Sequence, residues 1–298
     1  MQSKKKTIGF IGLGLMGQAF TNNLMEDGYK IFGTDPVPLA RRRFKRKGGE
    51  VLDSPKEVVE NADITFISVP NSKISLNCAK GKNGYTNINK QTSKKIIIDT
   101  TTSDPDDTRK ISSLCETSKL DFLEGCISGN SKDVKNRIGL FLIGGEEKIY
   151  KKVKPLLGNI LSDQIYCGKA GSGATMKVII NYLTCLERCS IAETLRIGLR
   201  SGIKKDLLLE CLLRSAASGK QLEKRGSRML EHKFSDPVSS LATMIKDMKL
   251  GLTLAKKTKS TTPVGKACLP IYKLGGKSDY GELDSSVIYK VFEDLETK

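Results

Sequence analysis

A doubly wound α/β domain followed by an all-α domain is the fold class this sequence predicts, and three observations predict it. Short, mostly apolar, strand-like runs alternate with helix-like stretches through the first half of the chain. After Gly173 the apolar residues take up a helical period and keep it. The 298 residues are enough for two cores. The expected boundary lies at 168, with domains 1–168 and 169–298 and a long helix opening the second.

The first run, KTIGFI (6–11), is short and apolar, as a buried strand requires. GLGLMG follows, with Gly12, Gly14 and Gly17 in GxGxxG spacing, and opens a helix that closes at Gly28. YKIFGTD then reads as a second strand and ends in Asp35, eighteen residues after Gly17. Strand, glycines, helix, strand and terminal acid in this order make the fingerprint of a dinucleotide-binding Rossmann domain. Gly12 permits the tight turn, Gly14 lets backbone approach a pyrophosphate and Gly17 allows close helix–strand packing. The intervening Leu13, Leu15 and Met16 belong to the same phosphate-facing loop. Asp35 would accept the ribose hydroxyls and repel a 2′-phosphate, which favours NAD over NADP. An arginine of the basic run ARRRFKRKGG (40–49) is the feature that would admit NADP.

The alternation continues through DITFISVP (63–70), KKIIIDTTTSDP (94–105), LDFLEGCISG (120–129), GLFLIGG (139–145) and DQIYCG (163–168). Helix-like stretches lie between them, among them 106–117, introduced by Asp104 and Pro105, and 146–157. A mostly parallel sheet follows, with ligands at the carboxyl ends of its strands, where Val69–Pro70, Thr101–Thr102 and Ser128–Gly129 fall. Further helices are expected near 204–214, 220–231, 238–257, 263–274 and 284–295. In KAGSGATMKVIIN (169–181), a glycine-rich turn leads into a helix carrying Lys177 and Asn181, four residues apart and therefore on one face. The domain boundary would put this pair in a cleft near the nicotinamide.

Composition narrows the classes. The chain is 38% apolar and 28% charged, with no apolar run of membrane-spanning length and no repeats. Its basic start and first apolar stretch read as structure rather than a targeting signal, because the alternating glycines do not suit one. Eight cysteines show no CxxC pair, and a single histidine, His232, disfavours a histidine-based metal site, so a reducing, cytoplasmic setting without a metal is expected. Cys185 and Cys189 read as small apolar helix residues. The net charge of +17 is spread along the chain without aromatic interleaving, which speaks for solvated helix faces over nucleic acid.

Taken jointly, these motifs resemble the β-hydroxyacid dehydrogenase family across essentially the whole chain. IGFIGLGLMG is similar to the family's opening motif and IIDTTTSDP to its cofactor-side segment, with Thr102 at the position that contacts the cofactor. EGCISGN is similar to the substrate motif usually written DAPVSGG, GSGATMKVIIN to GxGxxxKxxxN, and KDMKLGLTLA to a late Lys-Asp segment. The resemblance implies Lys177 as general acid/base, Asn181 as its hydrogen-bonding neighbour, and Ser128, Gly129 and Asn130 at the substrate carboxylate. It places Lys246 beside nicotinamide and substrate, with Asp247 more structural than catalytic. A small anionic hydroxyacid or semialdehyde substrate is implied, as is assembly into homodimers or homotetramers through the α domains. The 6-phosphogluconate branch is disfavoured by Ile180, where its active helix carries a histidine.

The departures are Glu124, Gly125 and Cys126 for Asp, Ala and Pro, Asn130 for the last glycine, and Arg137 for a later one. Asn130 is expected to project toward the ligand and Arg137 to add positive charge nearby, which would suit an altered or larger anionic substrate. In the expected chemistry Lys177, its proton affinity lowered by burial and by the Lys246 cation, trades a proton with the substrate hydroxyl. Two rival readings remain open: an imine reductase-like enzyme, disfavoured by the lysine, and a non-catalytic dinucleotide-binding scaffold or nucleic-acid-associated protein.

Overall fold

The computed structural model describes residues 6–88 and 94–297, so the first five residues of the basic start lie outside it. The chain divides into two compact units, Met1–Lys177 and Val178–Lys298. The last strand ends at Gly168, where the sequence reading closes the first domain, and the helix that follows runs through the division between the units.

The first unit is built on one eight-stranded sheet. Its strands are β1 (Ile8–Ile11), β2 (Ile31–Thr34), β3 (Glu50–Val51), β4 (Ile64–Ile67), β5 (Ile96–Asp99), β6 (Asp121–Ser128), β7 (Leu140–Gly145) and β8 (Asp163–Gly168). Their order is β3-β2-β1-β4-β5-β6-β7-β8. All pairs are parallel except β6 with β7, which run antiparallel with Glu124 opposite Gly144. Residues 129–139 link those two strands, too short a stretch for a helical crossover, so the chain turns back on itself. The two-residue β3 is an edge strand the sequence reading did not predict.

Both faces of the sheet are covered, which is why its strands read as continuous apolar runs. Ile8, Phe10, Ile64, Phe66, Ile96 and Ile98 point into one core with Phe20 and Phe141. Phe10 and Phe66 stack there at 5.1 Å between ring centroids. The alternate residues Ile11, Ile67 and Ile97 enter a second core with Val58, Ile111 and Cys115. The helices are α1 (Leu15–Glu26), α2 (Pro38–Arg46), α3 (Pro55–Asn61), α4 (Ser72–Lys80), α5 (Pro105–Thr117), α6 (Ser131–Lys135) and α7 (Glu147–Ile160). α8 (Ser172–Arg200) begins in this unit. Asp104 caps α5 by accepting the Asp106 N–H, with Pro105 in the first turn, as the sequence pair suggests.

The second unit holds the rest of α8 with α9 (Lys205–Arg214), α10 (Lys220–Leu230), α11 (Leu241–Lys257), α12 (Pro263–Lys277) and α13 (Ile288–Glu296). Cys185, Cys189, Ala192 and Leu195 recur at helical spacing along α8 and pack with Met244, Met248 and Tyr272, so the two cysteines act as small apolar side chains. Asp284 sits in this core with no exposed surface. Both its carboxylate oxygens accept from Arg225 Nη1 at 3.0 Å, and the backbone N–H groups of Val238 (2.9 Å) and Ser286 (3.0 Å) donate to it as well. Burial pushes the carboxyl up, but the Ser286 N–H, the Arg225 charge and the Val238 N–H outweigh it and hold the group below its usual range.

Candidate active site

The glycine loop has the geometry its spacing predicts. Gly12 has φ +97°, and a Cβ there would stand 2.1 Å from the Ser68 carbonyl oxygen. A Cβ on Gly17 would stand 2.1 Å from the Gly12 carbonyl oxygen, so α1 meets β1 too closely for any side chain. At Gly14 a Cβ would meet nothing within 4 Å. Two glycines therefore shape the loop, and the third leaves open space at the start of α1. The N-cap residue of that helix is Gly14, which has no side chain to cap it, so its leading N–H groups suit an anion. Leu13 is buried beneath the loop and Leu15, 74% exposed, stands on its outer side next to the half-buried Met16.

Asp35 does more than the sequence suggests. Its Oδ2 accepts the Leu13 N–H at 2.7 Å and its Oδ1 the Val37 N–H at 2.8 Å, which ties the glycine loop to the end of β2. Each carboxylate oxygen can accept a second bond, so the residue can brace the loop and still receive ribose hydroxyls. In the basic run, Arg41 is paired with Asp53 at 2.9 Å. These features fit a dinucleotide: an open glycine at an uncapped helix start, with an acid at the end of the next strand.

Farther along the sheet, the half-buried Val69 donates its N–H to Thr101 Oγ1 at 3.3 Å, and Pro70 is exposed beside it. Thr102 is half-buried. Asp99 lies beneath this segment, a residue the sequence reading left without a role. It is buried, accepting from Ser75 Oγ (2.6 Å) and from the Thr101 N–H (2.9 Å). Burial raises its proton affinity against those hydrogen bonds. A carboxylate closing an otherwise all-isoleucine strand was the available signal.

On β6, Glu124, Cys126 and Ser128 alternate onto one face. Ser128 is half-buried at the strand end and Gly129 follows with φ +155°. Asn130 and Arg137 depart from the sequence expectation. Asn130 Oδ1 accepts the N–H groups of Lys132 and Asp133, and Asp133 Oδ2 accepts from both the Asn130 N–H and Nδ2. Its side chain closes a capping box on α6 in place of projecting toward a ligand, because a short helix with unpaired N–H groups starts there. Arg137 takes φ +58°, and its guanidinium pairs with both oxygens of Asp27 (2.9 and 3.0 Å) and with the carbonyls of Asn23 and Asn159. That charge braces α1 and α7.

Glu124 is 1% exposed. Its Oε1 accepts the Gly173 N–H at 2.7 Å and its Oε2 the Ala174 N–H at 3.2 Å, in the first turn of α8. Burial pushes this carboxyl up to about 7, against the pull of the Gly173, Ala174 and Gly171 N–H groups, and the Asp99 charge adds to the rise. Lys177 follows one turn later and is 9% exposed, an uncommon burial for a lysine. Its charge reaches the Cys126 thiol, which burial together with Glu124 and Asp99 holds well above its ordinary value.

Asn181 stands one turn beyond Lys177 on the same helix. Its Nδ2 donates to Asp247 Oδ2 at 2.8 Å, and Lys246 Nζ lies 3.4 Å from Asp247 Oδ1. Asp247 thus links the two residues of this unit that the sequence singled out, and it turns the Asn181 amide oxygen away from itself.

Comparison with known proteins agrees with this geometry. A family model described as the NAD binding domain of 6-phosphogluconate dehydrogenase matches residues 7–168. A second, the NAD-binding region of NADP-dependent 3-hydroxyisobutyrate dehydrogenase, matches residues 171–292. The mitochondrial 3-hydroxyisobutyrate dehydrogenase of Rattus norvegicus is 28% identical over 99% of this chain and 89% of its own. The 2-(hydroxymethyl)glutarate dehydrogenase of Eubacterium barkeri is 25% identical over 98% of this chain and 96% of its own. The Mycobacterium tuberculosis 3-hydroxyisobutyrate dehydrogenase, solved with L-serine, superimposes with a TM-score of 0.86 at 26% identity, covering 97% of this chain and 99% of that one. Fold, glycine loop and family models converge: the chain belongs to the β-hydroxyacid dehydrogenase family of NAD(P)-dependent oxidoreductases acting on CH–OH groups.

Proposed function

We propose that this chain oxidises a short hydroxy acid, or reduces the corresponding semialdehyde, with NAD, and that Lys177 is its general acid–base group. The observation that carries the reading is the buried Lys177 one helical turn before Asn181, whose amide is held by Asp247. When bound, NAD supplies the hydride acceptor, or its reduced form the donor. The loop Gly12–Gly17 would hold its pyrophosphate and Asp35 its ribose, with Val69, Pro70 and Thr102 along the strand ends and Lys246 near the nicotinamide. In oxidation, neutral Lys177 Nζ takes the hydroxyl proton; in reduction its ammonium returns it. Asn181 orients the hydroxyl or the amine. Ser128 and Gly129 fix the substrate carboxylate, a group shared by the acids for which the rat and Eubacterium relatives are named.

The pairing of Arg41 with Asp53 supports NAD over NADP, since it engages one arginine of the basic run, and Asp35 opposes a 2′-phosphate. Assembly into a homodimer or homotetramer is part of the reading. Exposed Met176, Ile179 and Leu183 at helical spacing on α8 support it. A cytoplasmic location is the corresponding expectation; among the described residues no helix is long and apolar enough to cross a membrane.

Nicotinamide absorbance tests the proposal, with NAD and NADP offered against a panel of short hydroxy acids and semialdehydes. Lys177→Ala is expected to lower kcat by about 10²–10⁴-fold while cofactor affinity holds. Turnover that survives the substitution removes Lys177 from the chemistry. Salt-sensitive DNA binding without any turnover would instead favour the scaffold.

A further inference from the structure

The carboxyl of Glu124 is enclosed by construction. Its neighbour across the β6–β7 ladder is Gly144, where a Cβ would lie 1.8 Å from Glu124 Oε1. A Cβ on Gly173 would lie 2.6 Å from the Leu142 carbonyl oxygen, so α8 starts hard against β7. Into this gap β6 delivers a buried acid whose two oxygens each receive an N–H from the first turn of α8. Gly173 and Ala174 precede Lys177 by four and three residues, so the gripped N–H groups and the lysine belong to one turn of helix. The start of a helix favours negative charge, and a carboxylate there satisfies donors that otherwise have no partner.

We propose that Glu124 is a positioning residue: its carboxylate clamps the first turn of α8 so that Lys177 stands where it works, and its charge, sensed across Cys126, sets the pH at which that lysine exchanges its proton. The proposal rests on the acid–base role of Lys177. The titratable groups facing Glu124 are Asp99 from β5, Cys126 from its own strand, Cys167 from β8 and, across Cys126, Lys177 from α8. Arg109 of α5 packs over Gly171 at the approach to the same helix. Among these, Asp99 opposes the ionisation of Glu124, while Lys177 is the cation, one turn along the helix whose first N–H groups Glu124 accepts. Titration of Glu124 near neutral pH would then change the charge held against the first turn of α8, the turn that leads to Lys177.

The test uses the free, full-length protein and needs no substrate. Amide hydrogen exchange reads the clamp at Gly173 and Ala174, and trace acetic anhydride labelling across pH, followed by peptide mass analysis, reads the titration of Lys177. In Glu124→Gln the two amides are expected to exchange at least tenfold faster, and half-labelling of Lys177 to fall by half a pH unit or more, with exposed Lys30 unchanged. Faster exchange with an unmoved Lys177 curve would reduce Glu124 to an ordinary helix cap and overturn the proposal. Unchanged exchange overturns it too. Should the glutamine variant not fold, Glu124→Asp decides, since it keeps the charge but withdraws the oxygens by one methylene. Faster exchange with a lowered half-labelling pH of Lys177 sustains the proposal, and unaltered exchange or an unmoved Lys177 curve overturns it. Failure of the acid–base reading itself appears elsewhere, as turnover surviving Lys177→Ala.

Discussion

Each unit buries carboxylates almost completely, and the most enclosed of each, Glu124 and Asp284, are treated in opposite ways. Asp284, in the helical unit, has Arg225 on both oxygens and two backbone N–H donors, and its proton affinity is held down. Glu124, in the sheet unit, has N–H donors from α8 and, among the described residues, no cation in hydrogen-bonding contact, and burial raises it to about 7. Paired charge makes a permanent strut. Dipoles without a paired charge leave a carboxyl that can change state near neutrality, and that carboxyl lies one turn from the lysine that carries the proposed chemistry.

The largest expected effect follows from breaking the strut. Asp284→Ala leaves Arg225 buried without its anion, and chemical or thermal denaturation should show a loss of about 3–5 kcal/mol. A loss below about 1 kcal/mol would mean that the two carboxylates are equally dispensable. The next effect is a pH dependence of opposite sign at the two sites. The folded state binds the Glu124 proton more tightly than the unfolded chain, so this group's contribution is full below about 4.5 and declines as pH rises to about 7. At about 1.4 kcal/mol per pH unit, ionising it in place costs the fold roughly 3 kcal/mol. Between about pH 4.5 and 7 the stability of wild type, read from melting curves, should fall with pH more steeply than that of Glu124→Gln; equal slopes would remove Glu124 as a titrating group. The Asp284 contribution runs the other way, present above the ordinary aspartate value and lost as pH falls beneath it.

A smaller effect sharpens the same contrast. Gly144→Ala places a methyl group 1.8 Å from Glu124 Oε1 and forces the carboxyl to shift. Overpacking of this kind destabilises by about 1–3 kcal/mol, measurable by urea titration, and should also speed exchange at Gly173 and Ala174. Retained exchange protection would show that Glu124 reaches α8 by another route.

Much of this molecule is written locally. The glycine spacing, the apolar strands and the helical period after Gly173 report backbone geometry and burial that each short segment must satisfy by itself, so the sheet, the dinucleotide loop and the helical second unit were legible. Lys177 and Asn181 were legible as a pair because helical spacing alone puts them on one face. What a side chain touches is another matter, since it depends on partners distant in sequence. Asn130 looked like a ligand group, and its side chain is a cap, accepting the Lys132 and Asp133 N–H groups that open α6. Arg137 looked like substrate charge and is bound to Asp27, which lies on a helix far back in the chain. Asp247, read as more structural than catalytic, holds Asn181 across 66 positions, a partner no local pattern names.

By itself, then, the sequence determined the order of elements, the loop that requires glycine and the residue types that can move a proton. Only the tertiary structure decided that β7 runs antiparallel to β6, which sets Gly144 opposite Glu124 and opens room for a buried acid. Strand direction depends on how the chain returns in space, and burial depends on what packs above it. No local pattern encodes either, and together they turned a departure from the family motif into a clamp on the helix that carries Lys177.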